Sequence, residues 1–194
     1  MSTKKKFIIA LCAVSVVAVT LLASLIAVVA SFNAKTTAGG FKVSYTAKNV
    51  NATIAAEYTK NDEAATAIKT TEGENLITFS NEDIDEEVTK SFAETDLTIG
   101  KDDVIVLHYT ITNTATDGST FRVVSHSSIT TETNVNVKYS SNGSTWVDAI
   151  TGLDEADSVA VGTPLNLYIQ ISVATKTQPA TFNGQFNFEL IVNG

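Results

Sequence analysis

Residues 104–113 read VIVLHYTITN, and the alternation within these ten positions decides the fold. Ile105, Leu107, Tyr109 and Ile111 fall on one side of an extended chain, and Val104, Val106, His108, Thr110 and Thr112 fall on the other. Two later stretches obey the same rule. In TPLNLYIQISVA, residues 163–174, the apolar row is Leu165, Leu167, Ile169, Ile171 and Val173; in GQFNFELIVN, residues 184–193, it is Phe186, Phe188, Leu190 and Val192. One oily and one wet row per strand is the signature of antiparallel sheets with a solvated face, because strands of parallel sheets are usually apolar on both sides. The expectation is an all-β chain forming a single antiparallel β-sandwich, jelly-roll-like or Ig-like.

Working back toward the N-terminus, FKVSYTAK at 41–48 places Phe41, Val43 and Tyr45 together, and Val50, Ala52, Ile54, Ala56 and Tyr58 alternate again. Residues 59–100 are less regular. NLITF at 75–79 is a short apolar run. SNEDIDEEVTKSF at 80–92 reads as a brief helix, with Ser80 as N-cap and Ile84, Val88 and Phe92 at spacing four. In VKYSSNGSTWV, residues 137–147, Asn142 and Gly143 suit a two-residue type I′ turn. That turn sets Tyr139 across from Trp146, a pair worth about 0.2 to 1 kcal/mol. Many of the 28 threonines alternate with apolar residues, as a β-branched hydroxyl residue on the wet face of a strand should.

Ahead of this body, Phe7 to Ala34 carry no charge and follow Lys4, Lys5 and Lys6. As a helix, Phe7–Phe32 would be about 39 Å long, more than the roughly 30 Å hydrocarbon core of a bilayer. This is an export signal, either a cleaved signal peptide or a signal-anchor helix. Val28 and Ala30 occupy the −3 and −1 positions of a cleavage site before Ser31, so a signal peptidase is an expected partner. Cys12 lies inside the apolar run, and Leu11 before it is too bulky for a lipoprotein signal. The domain plan is therefore 1–30 as signal or anchor, 31–40 as a flexible N-terminal segment, and 41–194 as the sandwich domain. The body is expected outside the cell, secreted or held at the cell surface, touching membrane only through the N-terminal segment.

Beyond residue 34 the chain has no cysteine, so its stability must come from a packed core rather than disulfides. That part carries ten basic against 21 acidic side chains, a formal charge of −11. Such a surface repels phosphate, which argues against nucleic-acid binding.

Few constellations suggest chemistry. His108 and His126 are the only histidines, and no H-E-x-x-H pattern surrounds them. Glu82, Asp83, Asp85, Glu86 and Glu87 are dense in acid, yet they lack the glycine and the twelfth-position glutamate of an EF-hand. SSNGSTW matches an Asp-box turn in Gly143, Thr145 and Trp146 but has Ser141 where the motif wants aspartate. Lys42 alternates with Phe41 and Val43 and so points away from the core, against a Lys-to-Asn isopeptide bond. Asn51-Ala-Thr53 and Asn142-Gly-Ser144 fit the glycosylation sequon. There is no G-x-S-x-G elbow and no thiol outside the leader. The sequence offers no catalytic residue, no metal ligand set and no cofactor site, and the chain is not expected to be an enzyme.

The layout at the start resembles the TasA and camelysin family of bacterial biofilm-matrix and cell-surface proteins. Its elements are Ala30, Ser31, Phe32, Asn33 and Gly40, then the strand Phe41–Lys48, with LTIGKDDVIVLHYTITNTA similar to the family's turn and strand. The resemblance implies removal of the signal by a dedicated signal peptidase. It also implies a jelly-roll-like sandwich that self-associates into extracellular fibres, each subunit taking an N-terminal strand from its neighbour. The donated stretch would include Phe32, Phe41, Val43 and Tyr45. The metallopeptidase label given to some camelysin relatives finds no ligand set here. The alternative is a membrane-anchored monomeric sandwich that binds a partner or glycan at the cell surface.

Overall fold

The computed structural model describes residues 36–80, 86–100, 102–126, 128–174 and 181–193. Among them there are strands and turns and no helix. The chain runs β1 (Thr36–Lys48), β2 (Ala52–Lys60), β3 (Thr66–Ala67), β4 (Leu76–Phe79), β5 (Val88–Ser91), β6 (Thr95–Ile99) and β7 (Val104–Asn113). It continues through β8 (Phe121–Ser125), β9 (Ser128–Thr133), β10 (Val135–Ser140), β11 (Ala156–Val159), β12 (Leu165–Val173) and β13 (Thr181–Val192).

These strands form two sheets. The first is seven-stranded in the order β11-β8-β13-β1-β5, with β9 also on β13 and β6 also on β1. The second is six-stranded in the order β10-β12-β7-β2-β3, with β4 also on β2. The alternation in the sequence fixes which face is buried. Ile105, Leu107, Tyr109 and Ile111 of β7 are buried, as are Leu167, Ile169 and Ile171 of β12, and Phe186, Phe188 and Leu190 of β13. All belong to one hydrophobic cluster together with Val43, Tyr45 and Ala47 of β1 and Val50, Ala52, Ile54 and Ala56 at β2. Each large aliphatic or aromatic side chain so buried contributes about 1.5 to 3 kcal/mol.

The two sheets meet through aromatic rings. Tyr45 of the first sheet packs edge-on against Phe92 with centroids 6.2 Å apart, and Phe92 lies 6.3 Å from Tyr109 of the second. The chain passes from one sheet to the other at Asn49, between β1 and β2, and at Asn134, between β9 and β10. Their φ angles are 56° and 57°. Asparagine tolerates this left-handed conformation better than other residues bearing a Cβ, so each corner is turned in a short span, residues 49–51 at the first and Asn134 at the second.

Three expectations change. The helix expected over 80–92 is not present in its described part. Val88–Ser91 is strand β5, antiparallel to β1, and Phe92 bridges to Thr70; residues 81–85 lie outside the described residues. The spacing of Val88 and Phe92 suits a helix, but a free strand edge on β1 outweighs that weak local preference. The sheet is not wholly antiparallel, because β1 and β13 pair parallel from Phe41↔Gly184 to Lys48↔Ile191. Finally, Tyr139 lies across from Val147 rather than Trp146. A type I′ turn needs positive φ at both central residues, and here it occurs at Gly143 (70°) and not at Asn142. Ser140 and Asn142 side chains bind the loop's own N–H groups and favour a wider turn.

Candidate functional site

β1 is the element that the family resemblance would make the donated strand, and its two halves are held differently. From Phe41 to Lys48 it is paired with β13 on one side, and from Ser44 to Ala47 it is also paired with β5 on the other. Val43 and Tyr45 point into the core with exposures of 1% and 0%. From Thr36 to Ala38 the strand pairs with β6 (Thr36↔Ile99, Thr37↔Thr98, Ala38↔Leu97), and among the described residues its register with β13 begins at Phe41. The register with β6 shifts between Ala38 and Phe41, the span that contains Gly39 and Gly40. Two glycines supply the backbone freedom that a bulge requires. The arm thus extends the strand back to Thr36, ahead of the residue 41 boundary read from the sequence. Val28, Ala30, Ser31 and Phe32 lie outside the described residues.

A cleft of about 280 Å³ opens beside this sheet edge, between β4 and β5, lined among others by Glu74, Leu76, Thr78 and Lys90. Lys90 Nζ crosses it to donate to the Thr78 carbonyl at 2.6 Å and lies 5.3 Å from the centre of the Phe79 ring. One cation therefore ties an edge of the first sheet to an edge of the second.

On the outer face of the second sheet, Glu57, His108 and Tyr168 are register partners on β2, β7 and β12. His108 Nδ1 is 3.0 Å from Glu57 Oε1, and Nε2 is 3.0 Å from Asn166 Oδ1 and 3.1 Å from Thr110 Oγ1. Thr, His and Glu in this order copy the spacing of a nucleophile, base and orienting acid. The Thr110 hydroxyl, however, donates to Asn166 Oδ1 at 3.0 Å, and the Tyr168 ring stacks on the imidazole with centroids 4.0 Å apart. The group holds three adjacent strands in register. The sequence shows His108 facing away from the core; its partnership with Glu57 becomes visible only once β2 and β7 are aligned.

Asp103 lies between β6 and β7. Burial raises the pKa of its carboxyl, but bonds from Lys60, Asn61 and the Gly100 N–H outweigh that effect and hold it below the usual carboxylate range. Asp154, only 4% exposed, is shifted the opposite way, since its burial outweighs a hydrogen bond from Ser125. Burial also pushes the Tyr109 phenol up, and that of Tyr45 as well, with the neighbouring Tyr109 adding to the effect there. Among the described residues no group of three or more His, Cys, Asp or Glu is placed to hold a metal ion. Lys42 is exposed, and His126 lies 3.5 Å from Glu189 at the surface. Of the acidic run, 81–85 lie outside the described residues and Glu86 and Glu87 are exposed.

No protein-family model matches the chain, and no curated protein matches it.

Proposed function

We propose that this chain is an exported structural protein of the cell surface or extracellular matrix, a jelly-roll-like β-sandwich whose subunits join by exchanging the N-terminal arm. The observation that carries the reading is the unequal grip on β1: among the described residues Phe41–Lys48 is bound to β13, while Thr36–Ala38 is bound to β6, across a glycine bulge. Release of the arm breaks few bonds and leaves the core rows of Val43 and Tyr45 in place. It also bares the edge of β6, whose unpaired N–H and C=O groups are a template for the same segment of a neighbour. A head-to-tail exchange that does not close on itself makes a filament.

Charge supports the same reading. Residues 31–40, ahead of the retained half of β1, contain Lys35 and no acid, whereas the rest of the exported part carries all 21 acidic side chains. A cationic arm is drawn to an anionic body. The resemblance of the N-terminal layout to the TasA and camelysin family points the same way, as does the leader, three lysines and then an uncharged run, that would deliver the body outside the cell.

Purified protein beginning at Ser31 should form filaments visible by negative-stain microscopy, and protein beginning at Phe41 should stay monomeric. Equal behaviour of the two would reject arm exchange. An N-terminus at Met1 or Ser2 in the native protein would instead favour a membrane-anchored monomer.

A further inference from the structure

The loop after β10 gathers donors and acceptors around one amide. Tyr139 and Val147 close it through two backbone hydrogen bonds, 2.8 and 2.9 Å long. Inside it, Asn142 Oδ1 accepts from Ser140 Oγ at 3.0 Å, from Ser144 N at 2.9 Å and from Thr145 N at 2.9 Å. Ser140 Oγ accepts in turn from Gly143 N at 3.0 Å and from Asn142 N at 3.2 Å. Ser140 is 1% exposed, while Asn142 is open to water. Gly143 has no side chain to obstruct the approach of its nitrogen to the Asn142 side chain.

We infer that Asn142 is a site of self-catalysed deamidation, with Ser140 relaying the proton. Attack of Gly143 N on Asn142 Cγ develops negative charge on Oδ1, where the donors already converge as they do in an oxyanion hole. As the N–Cγ bond forms, the Gly143 proton passes to Ser140 Oγ and the Ser140 proton passes to Oδ1. The tetrahedral centre then collapses. Its hydroxyl proton goes to the side-chain NH2, the C–NH2 bond breaks, ammonia leaves and a succinimide ring remains between residues 142 and 143. Water opens the ring at either carbonyl to give aspartate or isoaspartate. The net change consumes one water, releases one ammonia and needs no oxidant or metal. An aspartate carboxylate at this position keeps the same donors and makes their bonds charge-assisted, so the product loop stays held.

The molecule contains its own comparison. Asn183 also precedes a glycine, but Gly184 is locked inside β13, between Phe41 of β1 and Ile129 of β9. Its peptide nitrogen is fixed in an extended ladder and cannot swing toward the side chain.

Protein aged in mildly alkaline buffer, digested and mapped by mass spectrometry, should show the NH2-to-OH mass gain on the peptide containing Asn142 several-fold faster than on that containing Asn183. Ser140→Ala should slow the gain at Asn142 several-fold. Equal rates at the two asparagines, or a Ser140→Ala rate equal to the parent's, would overturn the inference. A second measurement stands if that variant does not fold: conversion at Asn142 should be faster in the folded parent than in the same protein in urea, and the reverse order would overturn the relay.

Discussion

Tyr45 stacks on Phe188 with ring centroids 5.0 Å apart and planes inclined by 18°. The two are also register partners, so β1 and β13 grip each other through core-facing rings. Parallel strands cannot be joined by a hairpin, and this pair forms only when segments far apart in the sequence meet. Closing such a long loop costs entropy before any contact repays it, which places this pairing late in folding.

The same tyrosine carries a cost. Its hydroxyl is fully buried and has no hydrogen-bond partner among the described residues. Leaving a buried polar group unsatisfied costs about 1 to 3 kcal/mol. Tyr45→Phe keeps the ring and removes that cost, so urea unfolding should show equal or greater stability; a clear loss would mean that the hydroxyl is bonded.

Asn113 should behave in the opposite way. It is buried at the end of β7, its Nδ2 donates to the Ser119 and Val159 carbonyls at 2.8 Å each, and its Oδ1 accepts the Ala115 N–H at 2.8 Å. Asn113→Ala strands those backbone groups, and a loss of about 2 to 4 kcal/mol is expected from the stranded and lost bonds. Denaturant unfolding with an unchanged slope checks it.

Asp154 gives the protein a pH dependence of definite sign. Its folded pKa is raised above the ordinary carboxylate value because of burial. The folded state therefore holds the proton more tightly than the unfolded one, and stability falls as pH rises from about 4 through the folded value. Asp154→Asn should raise the unfolding midpoint at neutral pH and lose that advantage near pH 3. An advantage independent of pH would point to some other cause.

Filament growth should weaken with salt. A cationic arm docking on an anionic body is screened as the Debye length falls from about 10 Å at 0.1 M to about 3 Å at 1 M. Light scattering from protein beginning at Ser31 should grow more slowly at the higher salt, and no change would remove charge from the account.

The core was legible because period-two rows leave little choice. Ile105 through Ile111 and Leu167 through Ile171 were read face by face, since a one-residue slip would send every one of them into water. β5 was missed because Val88 and Phe92, four apart, satisfy a helix as readily as a strand, and only the edge of β1 decides between them. The parallel pairing of β1 with β13 was hidden for a related reason, since each strand alternates in the same way whatever the direction of its neighbour. The flexible segment 31–40 is legible in the sequence, but the sequence does not say that part of it lies on β6. In the Asn142 loop the sequence names a turn; its width depends on the Ser140 hydroxyl and Asn142 amide turning inward.

Amide hydrogen exchange along β1, measured on monomeric protein beginning at Ser31, tests the separable arm most directly. Thr36–Gly40 should exchange early through local opening, and Ser44–Ala47, held between β13 and β5, should exchange only near the global unfolding limit. Uniform protection from Thr36 to Lys48 would contradict the account.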